Sequence, residues 1–253
     1  MYEYDERFYR YINRGSRDSA RVLLPVLLEA LPEPVESVLD VGCGAGAWLT
    51  VWQSLGAEIV GLDGDYVLPE QLMIEPDEFV SADLSAGFDL ERRFGLVQSL
   101  EVAEHLPAAS AARFVACLCR HADLVLFSAA PPGQGGENHI NEQPYEYWRG
   151  LFREQGYSMY DPVRPAVLTH ASVKPWYRYN TFLYVNENRR PELPHALAAC
   201  RVADTEPARD LSPRAYQMRK GLIRMLPSSA STHLATLKKS LSLLAVRFRG
   251  ENG

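Results

Sequence analysis

The segment Val38–Trp48, VLDVGCGAGAW, constrains this chain more than any other stretch. An apolar strand pattern around Asp40 runs into Gly42, Gly44 and Gly46, and a helical pattern follows at once. Glycine accepts the positive φ of a tight turn and lets the backbone approach a ligand closely. A strand, a glycine turn and a helix start therefore form a cradle for a nucleotide-like group at a parallel strand's carboxyl end. Val60-Gly-Leu-Asp63 and Val80-Ser-Ala-Asp83-Leu84 then put a carboxylate at the ends of the next two strands. Taken alone, Gly42-x-Gly44-x-x-Ala47 also fits a relaxed dinucleotide fingerprint. The glycines by themselves leave two cofactor chemistries open.

Short apolar runs alternate with helical patterns through most of the chain. Strands are expected at 37–41, 58–62, 78–80, 95–99, 123–128, 158–160 and 180–185, with helices at 45–55, 107–121 and 145–155. Nearly continuous apolar strands separated by helices imply an α/β fold with helices on both faces of the sheet. We expect seven strands, mostly parallel, with an antiparallel edge where the last two candidates follow one another without a helix. Residues 18–31 read as an amphipathic helix covering the sheet, capped by Ser16 or Asp18 and kinked or started late by Pro25. Residues 189–213 have the Pro, Ala and charge content of a linker. A helix to Leu226 and another over 229–249 follow as a carboxyl-terminal appendage.

Charge divides the chain at the same place. Residues 1–188 carry 14 Lys and Arg against 27 Asp and Glu, while residues 189–253 carry 12 against 5. An acidic body argues against a body-wide nucleic-acid surface. The expected division is a catalytic unit over 1–188 and a basic helical appendage over 189–253. Leu234, Leu237, Leu241, Leu244 and Phe248 make a two-heptad stripe in that appendage, suited to folding back on the acidic body, to a homodimer, or to an anionic membrane surface or partner. Four cysteines without framework spacing suit a reducing cytoplasm. The polar, aromatic start does not read as a signal peptide, and no apolar run nears the ~20 residues of a membrane span.

Read as D-x-G-x-G-x-G from Asp40, the glycine segment resembles motif I of the class I S-adenosylmethionine-dependent methyltransferases. Gly95-Leu-Val-Gln-Ser-Leu-Glu-Val-Ala-Glu-His-Leu106 is similar to that family's fourth strand and the helix start after it. Residues 1–187 also resemble a bacterial subgroup acting on small molecules or glycans, through Phe8–Ile12, Gly61–Tyr66, Phe127–Ala130, Gly133–Gly136, Asn141–Gln143 and Trp176-Tyr177. The resemblance implies that Asp63 holds the cofactor's ribose, beside Gly64. It assigns the adenine amino group to Asp83, flanked by Ala82 and Leu84, and the methionine portion to the Gly42–Gly46 backbone. Asp40 would orient that turn or the amino group, Ser99 and Leu100 would border the sulfur, and His105 would line the site. Tyr9 and Ser16 would belong to a lid. Residues 144–145, 166–173 and the neighbourhood of Tyr179 depart from the subgroup in the region expected to shape the acceptor pocket.

Methyl transfer from a sulfonium is an in-line displacement that needs alignment and, for a protonated nucleophile, a proton acceptor. His139, in the loop over 129–143, is the first candidate base because imidazole titrates near neutral pH. The plainer reading of His139 is a loop histidine that positions substrate. Glu142 would replace it or fix its tautomer. Tyr177 offers a ring near the sulfonium, and Asn138, Asn141 and Asn180 offer amides to an acceptor. Cys117, Cys119 and His121 lie on a helix without a second ligand pair, so core packing is expected and no metal site. The expected function is methylation of an O or N atom of a small-molecule or glycan acceptor. Two alternatives keep the fold: attack at a different carbon of the cofactor, releasing methylthioadenosine, and a non-catalytic binding module.

Overall fold

A computed structural model describes residues 6–190 and 192–225, with side chains from Asn13 onward. The elements run α1 (Glu6–Ala30), β1 (Ser37–Val41), α2 (Leu49–Ser54), β2 (Glu58–Asp63), β3 (Phe79–Ser81) and β4 (Leu96–Leu100). They continue with α3 (Ala111–His121), β5 (Leu124–Ser128), α4 (Tyr145–Glu154), β6 (Tyr157–Tyr160), α5 (Arg164–Val167) and α6 (Pro175–Asn180). Last come β7 (Phe182–Asn186), α7 (His195–Ala198) and α8 (Arg214–Arg224). One seven-stranded sheet has the order β3-β2-β1-β4-β5-β7-β6. β1 pairs in parallel with β2 and β4, and β4 with β5, whereas β7 runs against both β5 and β6. The expected mostly parallel sheet with antiparallel pairing at one end is what forms.

Alternating strand residues feed two apolar cores. Val38, Leu96, Leu124, Leu126, Leu183 and Val185 meet Ala20, Leu23, Leu24 and Leu27 of α1 and Trp52 of α2. On the other face Leu39, Val97, Val125, Phe127, Phe182 and Tyr184 meet Phe114 and Leu118 of α3 and Trp148 and Phe152 of α4. Burying each such side chain fully is worth about 1.5–3 kcal/mol, which is why the strands read as continuously apolar. The chain steps outward from β1 to β2 and β3, then returns to β4 on the other side of β1. That reversal opens a crevice at the carboxyl ends of β1 and β4, the usual place for a ligand in such sheets.

Several local expectations are corrected. α1 begins at Glu6 and runs through Pro25 without a late start. Neither Ser16 nor Asp18 caps it. Ser16 Oγ lies 3.1 Å from Tyr177 Oη and Asp18 lies 3.9 Å and 3.5 Å from the guanidinium groups of Arg14 and Arg21, so both side chains find partners other than the helix-end amides. α2 starts at Leu49 rather than Ala45, because Gly44 and Gly46 hold φ of +54° and +85°. Residues 175–180, the last of them expected to open a strand, form α6 instead. Pro175 sits in its first turn, and β7 begins only at Phe182.

After β7 the chain stays tied to the body. Arg149 of α4, with its side chain 5 % exposed, donates to the carbonyls of Val202, Ala203 and Glu206 at 2.7–2.8 Å. The leucine stripe of 229–249 lies outside the described residues. Among the described residues no helix is long and apolar enough to cross a membrane.

Candidate active site

The first half of the crevice is backbone held by one carboxylate. Asp63 ends β2, is 4 % exposed, and accepts from the amides of Gly44 (2.7 Å, Oδ2) and Gly64 (2.7 Å, Oδ1) and from the Tyr66 hydroxyl. A Cβ on Gly42 would lie 2.3 Å from the Val102 side chain at a φ of +84°, so only glycine fits there. Gly44 is different. Its φ is also positive, but a Cβ there would meet nothing within 4 Å, which leaves open space above the turn. Asp40, buried in β1, pairs in register with Gln98. Burial pushes its carboxyl up to about 8; the Asp63 charge adds to this and the Gln98 amide opposes it.

Farther along the same edge, Asp83 is exposed and accepts from Ser85 N (2.9 Å) and Ser85 Oγ (2.7 Å), contacts that lower its pKa. Ala82 N–H donates to the Asp63 carbonyl at 2.8 Å, and Leu84 is buried beneath. Ser99, fully buried in β4, has an Oγ without a hydrogen-bond partner, and Leu100 follows it. Tyr177 is buried beside the turn, its ring edge-on to Trp48 at 5.0 Å, and burial raises its phenol. Tyr9 lies on α1 with its side chain outside those described.

The second half gathers at the ends of β4, β5 and α6. Glu101, at φ +60°, accepts from Gln134 Nε2 (2.6 Å) and Asn180 Nδ2 (3.3 Å). Asn180 also donates to Gln134 Oε1 (2.7 Å) and accepts from the Tyr145 hydroxyl (2.8 Å). Glu142 accepts from the amides of Gly133 and Gly135 (both 2.7 Å) and lies 2.9 Å from His139 Nδ1. Burial alone would raise Glu142, but these donors hold it below the usual carboxylate range. His139, its side chain 12 % exposed, stands edge-on to His105 with ring centroids 4.8 Å apart. His105 Nδ1 meets the carbonyl of Asn138 at 3.2 Å. One edge of His105 is open to solvent, but desolvation at its inner face and the neighbouring His139 lower its pKa.

Glu104 lies under these rings. It is fully buried, and neither carboxylate oxygen meets a donor in hydrogen-bond geometry, although the amides of Glu104 itself and Ala130 are near. Burial and the neighbouring Glu101 charge push its carboxyl well above the usual range.

The structure thus gathers Asp40, Gly42, Gly44, Gly46, Asp63 and Gly64 at one side, and His105, His139, Glu142 and Asn180 at the other. Asn138 is exposed and contributes its carbonyl. Asn141 is 3 % exposed and ties its loop down, donating to the Ala103 carbonyl (3.3 Å) and accepting from Gln143 (2.9 Å). His121 lies within the α3 core, accepting from Leu90 N at Nε2 (3.0 Å) and meeting the Cys117 carbonyl at Nδ1 (2.6 Å). Residues given no role from sequence are Gln134, Tyr66 and Glu104. α8 is also unforeseen here. Arg219 and Arg224 donate to the carbonyls of Gln134 (3.2 Å) and Pro132 (2.7 Å), and a Cβ on Gly133 would stand 2.2 Å from the Lys220 carbonyl.

A family model described as a methyltransferase domain matches residues 12–164, more than half of the chain. Among solved structures, a sugar N-methyltransferase from Streptoalloteichus is 19% identical with a TM-score of 0.55, covering 73% of this chain and 93% of that one. An amino pentose methyltransferase from Micromonospora echinaspora, bound to S-adenosylmethionine, is 16% identical with a TM-score of 0.52, covering 74% and 98%. A magnesium protoporphyrin IX methyltransferase from Synechocystis, also with S-adenosylmethionine bound, is 18% identical with a TM-score of 0.50, covering 73% and 86%. No curated protein matches the sequence significantly.

Proposed function

The chain belongs to the methyltransferase-domain family, class I enzymes that use S-adenosylmethionine, and from that premise we propose methyl transfer to an O or N atom of a small-molecule or glycan acceptor. The observation that carries the reading is the pairing of two unlike edges across one crevice. A glycine turn pinned by Asp63 follows β1, and imidazoles and carboxylates follow β4, its neighbour in the sheet.

On this reading the ribose hydroxyls take the place of the Tyr66 hydroxyl on Asp63, and the adenine amine meets Asp83. The methionine portion lies over Gly44, where the turn is open, and Ser99 Oγ gains a partner. Bound there, S-adenosylmethionine supplies an electrophilic methyl carbon. The chain's task is to hold the acceptor in line, exclude water and take up any proton the nucleophile loses. Glu104, His105 and His139 line the part of the rim where that last step would take place. Glu142, which accepts from the amides of Gly133 and Gly135, also fixes His139 at Nδ1 and leaves Nε2 beside Gly136. The sugar and porphyrin methyltransferases of like fold act on small molecules, which supports the substrate class without choosing among its members. The excess of Asp and Glu over Lys and Arg in residues 1–188 supports such molecules rather than nucleic acid as acceptors, and the proposed place of action is the cytoplasm.

Incubation of the purified chain with S-adenosylmethionine and fractionated lysate, read by mass spectrometry, tests this. S-adenosylhomocysteine that forms only with an acceptor fraction is the expected product. Methylthioadenosine would replace the reading with transfer of a different carbon, and no product with any fraction would leave a binding module.

A further inference from the structure

We propose that Glu104, His105 and His139 form a site for a first-row divalent cation at the acceptor rim. One ligand atom from each, a carboxylate oxygen and two imidazole nitrogens, all lie within 4.8 Å of one another. Both oxygens of the fully buried Glu104 carboxyl lack a partner in hydrogen-bond geometry, a rare and costly arrangement that coordination to a cation would relieve. Among the described residues the charges that bear most on Glu104 are two more carboxylates, Glu101 and Glu142.

The groups behind the ligands are those a metal site requires. A ligating imidazole usually donates its other N–H to a carboxylate or a backbone carbonyl, which fixes its tautomer. His139 has Glu142 at Nδ1 (2.9 Å) and His105 has the Asn138 carbonyl at Nδ1 (3.2 Å), so both rings keep Nε2 for the cation. Gly136 makes room for this, since a Cβ there would come within 2.1 Å of His139 Nε2. Asn141 N–H and Ile140 N–H donate to the Glu104 carbonyl at 3.0 Å, joining the His139 loop to the Glu104 turn.

Two imidazoles and one carboxylate suit Zn²⁺, Co²⁺ or Mn²⁺ better than Ca²⁺ or Mg²⁺. Three protein ligands leave positions open for water and for an oxygen of the acceptor. A hydroxyl bound there would give its proton to water more readily before its oxygen attacked the methyl carbon and the carbon–sulfur bond broke. That consequence rests on the methyl-transfer reading, whereas the site itself does not.

The test uses the untagged full-length chain, stripped with a chelator and titrated with Co²⁺. Visible d–d absorption reports nitrogen coordination, and calorimetry reports affinity. We expect one equivalent to bind, with at least a tenfold loss of affinity in each of His105→Ala, His139→Ala and Glu104→Gln. Glu104→Gln should retain the wild-type melting temperature, which separates ligand loss from misfolding. No binding, or binding that all three variants preserve, overturns the site. S-adenosylmethionine binding measured on the same samples keeps the two readings apart. Its absence beside intact cobalt binding counts against the methyl-transfer reading alone, and its presence without cobalt binding counts against the cation site alone.

Discussion

The two sides of the crevice are built on different principles. The glycine side is backbone: two N–H groups and a turn organised by Asp63, with Gly44 and Asp63 19 residues apart. The rim is side chain on side chain, with Glu101 reaching Gln134 and Asn180 over 33 and 79 residues. A backbone cradle demands particular φ angles and so particular residues. A side-chain network demands only that partners arrive, and many residues can meet that demand. One side is suited to a ligand common to many enzymes, the other to a ligand that differs among them.

This contrast can be broken by experiment. The largest effect is expected at Arg164, 1 % exposed, which donates to the carbonyls of Tyr179 (2.9 Å) and Arg209 (3.0 Å) and pairs with Asp161 at 2.7 Å. Arg164→Met leaves the half-buried Asp161 carboxylate and the carbonyls of Tyr179 and Arg209 without this donor and should cost about 3–5 kcal/mol in urea unfolding. S-adenosylmethionine affinity, measured by calorimetry in the folded variant, should change by less than about threefold. A parallel collapse in affinity would mean that the two sides are one unit.

Asp63→Ala comes next. Hydrogen bonds to a charged group are worth about 1.5–3 kcal/mol, so affinity should fall about ten- to a hundredfold. A change within about twofold would sink the ribose assignment. The smallest effect sharpens the comparison. Gly44→Ala meets no clash in the ligand-free turn, so the left-handed backbone alone should cost about 1–2 kcal/mol of stability. Its added methyl projects into the space assigned to the cofactor, so binding should weaken further. Unchanged binding in Gly44→Ala would move the cofactor off the turn.

The same division decides what the sequence reveals. β1, its glycines and Asp63 are readable because the turn's positive φ angles and the Gly44 N–H call for those residue types there. The order of alternating strands and helices follows from continuous apolar runs between helical patterns. The rim is less readable. Tyr177–Asn180 has a composition that suits a strand, and the contrary signal is only Pro175 opening a turn. Ser16 looks like a cap, and its partner Tyr177 lies 161 residues on. Glu104 looks like a helix-start acid, and its meaning depends on a histidine brought in by the loop after β5.

α8 has one more consequence. Packed against Gly133 and Gly135, it makes a late part of the chain into a wall of the loop that carries His139 and Glu142. On the proposed chemistry, the segment that fixes how large an acceptor can enter never meets the methyl donor. Changes in α8 can then trade one acceptor for another while the donor side stays as it is, so selectivity is free to drift at little risk to the reaction.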